Sequence, residues 1–188
     1  MIIVFDFDKT LTYEDSLNLL FKSRLNFITI CFYVVLKILS KLKFISVEKE
    51  KLSMINILFK SDNERFKEAC IEQASKIKLT PIMDILREHV SKHNRVIVLS
   101  ASSKYLLEAV FDNYKVEILG SEFLVENGKI IRFTQHPYDT NKIDTLKNHN
   151  ITYIDDEYFD SSHDQCLKAI ARNWHRVKDG KIVESKFN

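Results

Sequence analysis

The chain has 188 residues, of which 45% are hydrophobic and 29% are charged. This balance indicates a globular domain rather than a disordered chain. The formal net charge of +2 is too small to make nucleic acid the expected main partner. The sequence has three glycines and neither of the common glycine-rich phosphate-binding motifs, so any phosphate must be bound in another way.

The cysteines and the first residues predict a cytoplasmic location. Cys31, Cys70 and Cys166 are far apart and share no C-x-x-C spacing. This pattern argues against a disulfide framework and is typical of a reducing compartment. The first residues, MIIVFDFD, lack the basic segment and the long apolar segment of a signal peptide.

Predicted strands and helices alternate along most of the chain. Short apolar runs predict strands at residues 2–5, 95–100, 116–119, 151–154 and, more weakly, 175–177. Amphipathic segments predict helices at residues 81–93, 104–113 and 141–148. This alternation indicates right-handed crossovers, a parallel sheet and a three-layer α/β fold. Asn127-Gly128 and Asp179-Gly180 each predict a hairpin turn.

Residues 13–80 interrupt the alternation, because they have helical patterning throughout and contain neither Gly nor Pro. The simplest interpretation is a helical insertion between the first strand and the rest of the sheet. The predicted domains are therefore an α/β core of residues 1–12 and 81–188 and a helical cap of residues 13–80. Ligands of open α/β sheets bind beyond the carboxyl ends of the strands, so this insertion could cover a site there.

Polar residues cluster where the predicted strands end. They are Asp6, Asp8 and Thr10 after the first strand, Ser100 at the end of the second, and Asp155, Asp156 and Asp160 after the fourth. Lys142 begins the helix that precedes the fourth strand. Parallel strands would bring all of these groups to one edge of the sheet. Several carboxylates without a nearby His or Cys suit Mg²⁺, which prefers oxygen ligands and also relieves their mutual repulsion.

These segments resemble the haloacid dehalogenase-like (HAD) superfamily of phosphohydrolases, which use an aspartate nucleophile. The family's motifs appear in order as DFDKT, VIVLSAS, a lysine in NKIDTL, and DDEYFD. The "SAS" motif and the insertion after the first strand look most like the subgroup that includes phosphoserine phosphatase. The resemblance implies a Rossmann-like core and a Mg²⁺-dependent phosphatase acting through an aspartyl-phosphate.

The resemblance also implies a role for each residue. Asp6 would be the nucleophile and Asp8 the general acid/base, and an aspartate at the latter position favours a phosphatase over a haloacid dehalogenase. Thr10 would order the loop beside the phosphate, which Ser100 and Lys142 would bind.

Two assignments stay open in the sequence. Mg²⁺ would be held by Asp6, the backbone carbonyl of Asp8 and Asp156, with Asp160 in support, although Asp155 could replace Asp156. Three other lysines compete with Lys142 for the motif position: Lys104, Lys129 and Lys147.

The expected partner is a small phosphorylated substrate. One alternative is a phosphotransferase or phosphomutase that uses the same covalent intermediate. The other is a membrane-surface or protein-binding module built on the same scaffold.

Residues 25–36, LNFITICFYVVL, carry no charge, but Lys37 ends the run well short of the roughly 20 residues that a membrane-spanning helix needs. The stretch therefore predicts either a helix buried in the cap or a surface helix that touches lipid. The second interpretation would suit a substrate with an apolar or lipid tail.

Overall fold

A computed structural model describes residues 1–187, except for the side chains of residues 162 and 163. Its centre is a seven-stranded sheet in the order β4-β3-β2-β1-β5-β6-β7. The strands are β1 (Ile2–Phe5), β2 (Arg95–Ser103), β3 (Glu117–Glu126), β4 (Lys129–Gln135), β5 (Ile154–Phe159), β6 (Ala171–Lys178) and β7 (Lys181–Phe187). The five inner strands are parallel, and β4 and β7 are antiparallel edges. The predicted α/β fold class is confirmed.

Both predicted hairpin turns are present. Asn127 and Gly128 connect β3 to β4 with φ angles of 48° and 75°, and Asp179 and Gly180 connect β6 to β7 with φ angles of 51° and 72°. Two consecutive left-handed residues are the geometry that Asn-Gly and Asp-Gly favour, because glycine adopts positive φ without a steric cost.

Seven α-helices are described. They are α1 (Ser16–Lys22), α2 (Phe27–Lys41), α3 (Val47–Phe59), α4 (Asn63–Ala74), α5 (Ile82–Ser91), α6 (Lys104–Val110) and α7 (Asn141–Asn148). A π-type turn, Phe7–Leu11, follows β1, and a 3₁₀ helix, Ser162–Ala169, follows β5. None of the helices in the described part of the chain is both long and apolar enough to cross a membrane.

Helices α1 to α4 all lie between β1 and α5 in the chain, and the two ends of this helical insertion meet. Thr12 pairs with Leu79 in an isolated antiparallel bridge, and the Thr80 backbone N–H donates to the Leu11 carbonyl over 2.9 Å. The chain therefore leaves the sheet and returns to it at one place. This closure is compatible with the predicted cap of residues 13–80, whose exact boundaries stay a prediction.

The two faces of β1 pack into different hydrophobic cores. Ile3 and Phe5 belong to a large core that extends into the helical insertion, where Phe66 is fully buried. Val4 points to a smaller core on the opposite face of the sheet. Because side chains alternate along a strand, β1 is covered on both faces, and its carboxyl end is the part left open.

Candidate active site

The candidate site begins where β1 ends. The Asp6 backbone N–H donates to the Tyr158 carbonyl over 2.9 Å, which extends the pairing of β1 with β5 by one residue. The chain then turns through Phe7–Leu11, where Lys9 takes the left-handed conformation with φ of 60°. This turn places Asp6 and Asp8 at the centre of the sheet's carboxyl edge.

Lys142 is the buried cation of the site. Its Nζ lies 2.7 Å from Asp6 Oδ1 and also contacts the Asp164 carboxylate. Burial alone would lower the pKa of Lys142, but the charges of Asp6 and Asp164 outweigh burial and raise it above its usual value. The ammonium group therefore stays charged.

The other lysines that the sequence left open lie elsewhere. Lys104 pairs with Glu122, Lys129 donates to the Lys60 carbonyl, and Lys147 is exposed on α7. Among these four lysines, Lys142 is the one that the fold places beside Asp6.

Three carboxylates converge at this point. Asp6, Asp160 and Asp164 each place an oxygen within 4.8 Å of the others. Burial, opposed by Lys142 and reinforced by Asp164 and Asp160, raises the pKa of Asp6 well above its usual value. One lysine balances one of three negative charges, so a divalent cation would fit this all-oxygen set.

Asp155 and Asp156, one of which the sequence analysis expected to face the metal, lie outside this cluster. Strand β5 begins at Ile154 rather than at residue 151, and both aspartates lie within it. Asp155 accepts a 2.7 Å hydrogen bond from the Ile2 backbone N–H. Asp156 lies 3.1 Å from Asn173 Nδ2 and 3.2 Å from His175 Nε2. Asp160, which directly follows β5, does reach the site.

Asp164 is a site residue that the sequence reasoning missed. It lies in the 3₁₀ helix, and its Oδ2 accepts a 3.0 Å hydrogen bond from the Ser161 hydroxyl. The signal was the four-residue spacing of Asp160 and Asp164 in DSSHD. Because β5 begins three residues later than predicted, the carboxyl end of the strand precedes Asp160 rather than Asp155.

Asp8 has the environment of a proton-transfer group. Its Oδ1 accepts from the Ser16 backbone N–H over 2.8 Å, and its Oδ2 accepts from the Ser102 hydroxyl over 2.7 Å. Burial and the charge of Asp15 raise the pKa of Asp8 to about 6, against these hydrogen bonds. A carboxyl group with this pKa exchanges protons readily near neutral pH.

Thr10 and Ser100 are the two hydroxyl residues that the sequence analysis expected beside Asp6. Thr10 is fully buried, and its hydroxyl donates to Asp6 Oδ2 over 3.4 Å, while its carbonyl accepts from the Thr80 hydroxyl over 2.7 Å. Ser100 lies at the cavity wall, and its Oγ accepts a 3.1 Å hydrogen bond from the Ser102 backbone N–H. Thr10 thus holds the loop, while Ser100 keeps its own hydroxyl hydrogen for another acceptor.

A cavity of about 320 Å³ opens above these residues, between the sheet edge and the helical insertion. Its floor includes Asp6 and Asp8, and its wall includes Phe21, Lys37 and Lys51 of α1, α2 and α3. Lys51 Nζ donates to the Ala101 carbonyl over 3.1 Å, and burial lowers its pKa to about 8 although Asp15 and Asp8 oppose this. Sequence patterning did not single out Lys51, because a lysine in a helix is usually solvated.

Solved structures share this fold at low sequence identity. A protein of unknown function from Bordetella pertussis Tohama I is 16% identical, with a TM-score of 0.74 over 91% of this chain and 87% of that one. A phosphoserine phosphohydrolase-like protein from Francisella tularensis subsp. tularensis SCHU S4 is 17% identical, with a TM-score of 0.66 over 93% and 85%. A phosphoserine phosphatase, solved as an analogue of its phospho-aspartyl intermediate, is 14% identical, with a TM-score of 0.65 over 94% and 87%.

The family assignment rests on the sequence itself. No curated protein matches the chain. The family model of haloacid dehalogenase-like hydrolases, however, matches residues 3–166, which contain every residue of the site described above. The chain therefore belongs to the haloacid dehalogenase-like hydrolase family, and the predictions of that family and of a hydrolytic enzyme are confirmed.

Proposed function

We propose that the protein is a Mg²⁺-dependent phosphatase that hydrolyses a small phosphomonoester through an aspartyl-phosphate on Asp6. The observation that carries the proposal is the pairing of two different carboxylates on one turn. Asp6 lies against Lys142 and the acidic cluster, whereas Asp8 is held by Ser16 and Ser102 with a pKa of about 6. Two carboxyl groups in such unlike environments suit a nucleophile and an acid/base.

In the first step, an Asp6 carboxylate oxygen attacks phosphorus and the bond to the leaving oxygen breaks. The Asp8 carboxyl group donates its proton to that oxygen, so the leaving group departs as a neutral alcohol while the phosphoryl group stays on Asp6. Lys142 and the Ser100 hydroxyl bind the phosphoryl oxygens, whose charge shifts in the transition state. Thr10 keeps Asp6 in place through its hydrogen bond to Oδ2.

In the second step, the Asp8 carboxylate takes a proton from a water molecule, and the resulting hydroxide oxygen attacks phosphorus. The bond between phosphorus and Asp6 breaks, which releases inorganic phosphate and restores both carboxyl groups. Mg²⁺ would be held by Asp6, Asp160, Asp164 and the Asp8 carbonyl, and it would neutralise negative charge on the phosphoryl group in both steps.

The helical insertion would select the leaving group. The cavity has the size of a small-molecule site and combines the apolar ring of Phe21 with the cations Lys37 and Lys51. This composition is compatible with a small phosphorylated substrate that has a partly apolar leaving group. Cytoplasmic location remains part of this proposal.

The test is phosphate release from a panel of phosphomonoesters, including p-nitrophenyl phosphate, phosphoserine and phosphorylated lipids. It compares the wild type with Mg²⁺, the wild type with EDTA, and Asp6→Asn with Mg²⁺. We expect turnover that requires both the metal and Asp6. Asp156→Asn is the matched control, because this aspartate lies outside the cluster and its loss should leave turnover within about twofold.

Turnover that persists in Asp6→Asn would refute the nucleophile assignment. Trapping with a fluoride complex of beryllium, which mimics an acyl phosphate, should occur in the wild type and fail in Asp6→Asn. If an alcohol acceptor instead received the phosphoryl group at the expense of phosphate release, the phosphotransferase alternative would replace the phosphatase.

A further inference from the structure

Helix α2 exposes an apolar surface to solvent. None of its residues is buried. Its solvent-facing side, which we call the outer face, comprises Phe27, Ile28, Ile30, Cys31, Phe32, Val34, Val35, Ile38 and Leu42, continued by Phe44. Phe27 is 90% exposed and Phe44 is 74% exposed. Single exposed apolar residues are ordinary, but a contiguous set of this size usually marks an interaction site.

The opposite side of α2 mixes polar and apolar residues. The half-buried residues there are Thr29, Tyr33, Leu36, Lys37, Leu39 and Ser40, and two of them, Tyr33 and Leu36, pack against the large core. Lys37 lies 2.7 Å from a carboxylate oxygen of the buried Glu50, and the Tyr33 hydroxyl donates to Asn18 over 3.4 Å. A helix on the surface of a globular protein normally turns its apolar side to the core. Helix α2 instead has apolar residues on both sides, so packing within the chain does not explain those of the outer face.

The local sequence defines the helix well. Asn26 forms a capping box, in which its side chain accepts from the backbone N–H groups of Ile28 and Thr29 while Thr29 caps in return. Such a cap fixes where the helix starts. The apolar residues are therefore exposed on a regular, capped helix rather than on an irregular loop.

The charged residues in the segment around the outer face are all basic. Residues 16–47 contain five basic residues and no acidic residue. Arg24 and Lys37 pair with glutamates from other helices, whereas Lys41 and Lys43 are exposed beside Leu42 and Phe44 and form no ion pair within the described residues. An apolar surface bordered by unpaired lysines complements a surface that is apolar inside and anionic at its edge.

We propose that the outer face of α2 docks on an anionic membrane, with the helix lying in the plane of the interface. Phe27, Phe32 and Phe44 would enter the acyl boundary, and Lys41 and Lys43 would contact anionic headgroups. A helix of 15 residues is too short to span the bilayer. In a two-fold dimer through the same face, Lys41 and Lys43 would find no acidic partner on the α2 of the other copy, because residues 16–47 contain none, and this disfavours a second copy.

This docking does not depend on the proposed phosphatase chemistry, but it affects where the cavity lies. Lys37, on the inner side of α2, lines the cavity above Asp6 and Asp8. Docking would therefore hold the cavity close to the membrane surface, with one helix between them. Because the outer face and Lys37 lie on opposite sides of α2, variants of the outer face can test membrane binding separately from catalysis.

The test is cosedimentation of the full chain with phosphatidylcholine vesicles, with and without about 30% phosphatidylserine. We expect binding that requires the anionic lipid. Lys41→Ala combined with Lys43→Ala should lower the partition coefficient by roughly 25-fold, since each lysine near an anionic surface contributes about fivefold. Phe27→Ser combined with Phe44→Ser should lower it by about a hundredfold.

Matched controls come from the far edges of the sheet. Ile131→Ser with Val183→Ser removes two exposed apolar residues, and Lys178→Ala with Lys181→Ala removes two exposed lysines. Both double variants should bind as the wild type does. Circular dichroism and the midpoint of thermal unfolding check that each variant is folded, which is expected because all of the altered residues are exposed.

Cys31 provides a second readout, because it is exposed on the outer face, whereas Cys70 is buried and Cys166 is half-buried; labelling of Cys31→Ser reports any signal from Cys166. An environment-sensitive fluorophore on Cys31 should shift to the blue when anionic vesicles are added, and Cys31→Ser should abolish the shift. Absence of vesicle binding, or equal binding by the Phe27/Phe44 variant, would overturn the proposal. Concentration-dependent dimers that the same variant abolishes, without vesicle binding, would assign the face to a second copy instead.

Discussion

Glu157 is a buried acid whose replacement by glutamine should stabilise the protein at neutral pH. It lies in β5, is 1% exposed, and neither of its carboxyl oxygens has a hydrogen-bond partner among the described residues. Burial, reinforced by Asp164 and opposed by Lys142, raises its pKa to about 9 from an ordinary value of 4.5. At neutral pH the folded protein therefore holds Glu157 as a neutral acid.

The raised pKa sets both the sign and the size of the effect. Between pH 4.5 and about 9 the folded state keeps a proton on Glu157 that the unfolded state has released. The free energy of unfolding therefore falls as pH rises, by about 1.4 kcal/mol per pH unit. From pH 5 to pH 8 the loss from this one group is on the order of 4 kcal/mol. Glutamine does not titrate, so Glu157→Gln removes this loss.

The assay is urea denaturation of wild type and Glu157→Gln at several pH values from 5 to 8, with EDTA present to exclude metal binding. The two free energies of unfolding should diverge as pH rises, with the variant ahead by several kcal/mol at pH 8. Glu184→Gln, on exposed β7, is the matched control and should run parallel to wild type. Parallel curves for Glu157→Gln would refute a neutral buried Glu157.

The remaining predictions concern the site and the core. If Asp8 is the proposed general acid, kcat/KM should fall as pH rises above about 6, because the neutral acid that would protonate the leaving group is then lost, and a pH–rate profile would show this. Asp164→Asn should weaken Mg²⁺ binding at least about tenfold in calorimetry, whereas Asp156→Asn should not. Phe66→Ala should destabilise the protein by about 3–5 kcal/mol in urea denaturation, because Phe66 is fully buried and packs edge-on against three aromatic rings. The first prediction would be contradicted by a flat pH profile, and the second by equal Mg²⁺ affinities of Asp164→Asn and the wild type. The third would be contradicted by an unchanged unfolding midpoint of Phe66→Ala.

The sequence was sufficient for the parts of the fold that depend on local chemistry. The run IIVF, the turn residues Asn127-Gly128 and the helix Asn141–Asn148 lie where their patterns predict them. The apolar strand followed by Asp6 and Asp8 likewise identified the centre of the candidate site. In each case, hydrophobic periodicity or a residue's own conformational preference decides the outcome within a few positions.

Long-range contacts decide the features that sequence patterning missed. Residues 151–154, ITYI, have strand-forming character, but Ile151 and Ile154 pack in the smaller core and the strand starts only at Ile154. Lys51 is similar, because its burial depends on α3 packing over the sheet edge, 50 residues away from Ala101. The local sequence pattern does not include the distant residues that pack against these two segments, so neither the start of β5 nor the burial of Lys51 could be assigned from it.

The acidic run of β5 shows why composition alone could not identify the carboxylates that lie beside Asp6. Asp155, Asp156 and Glu157 differ little as residues, yet the fold gives each a different neutralising environment. The first accepts from a backbone N–H, the second lies against His175 and Asn173, and the third keeps its proton. Asp160 is the residue after β5, so it is not part of the sheet and its carboxylate lies close to that of Asp6. The carboxylate that joins the candidate cation site is therefore the one that lies where the hydrogen bonds of the strand end, which is a consequence of register rather than of residue type.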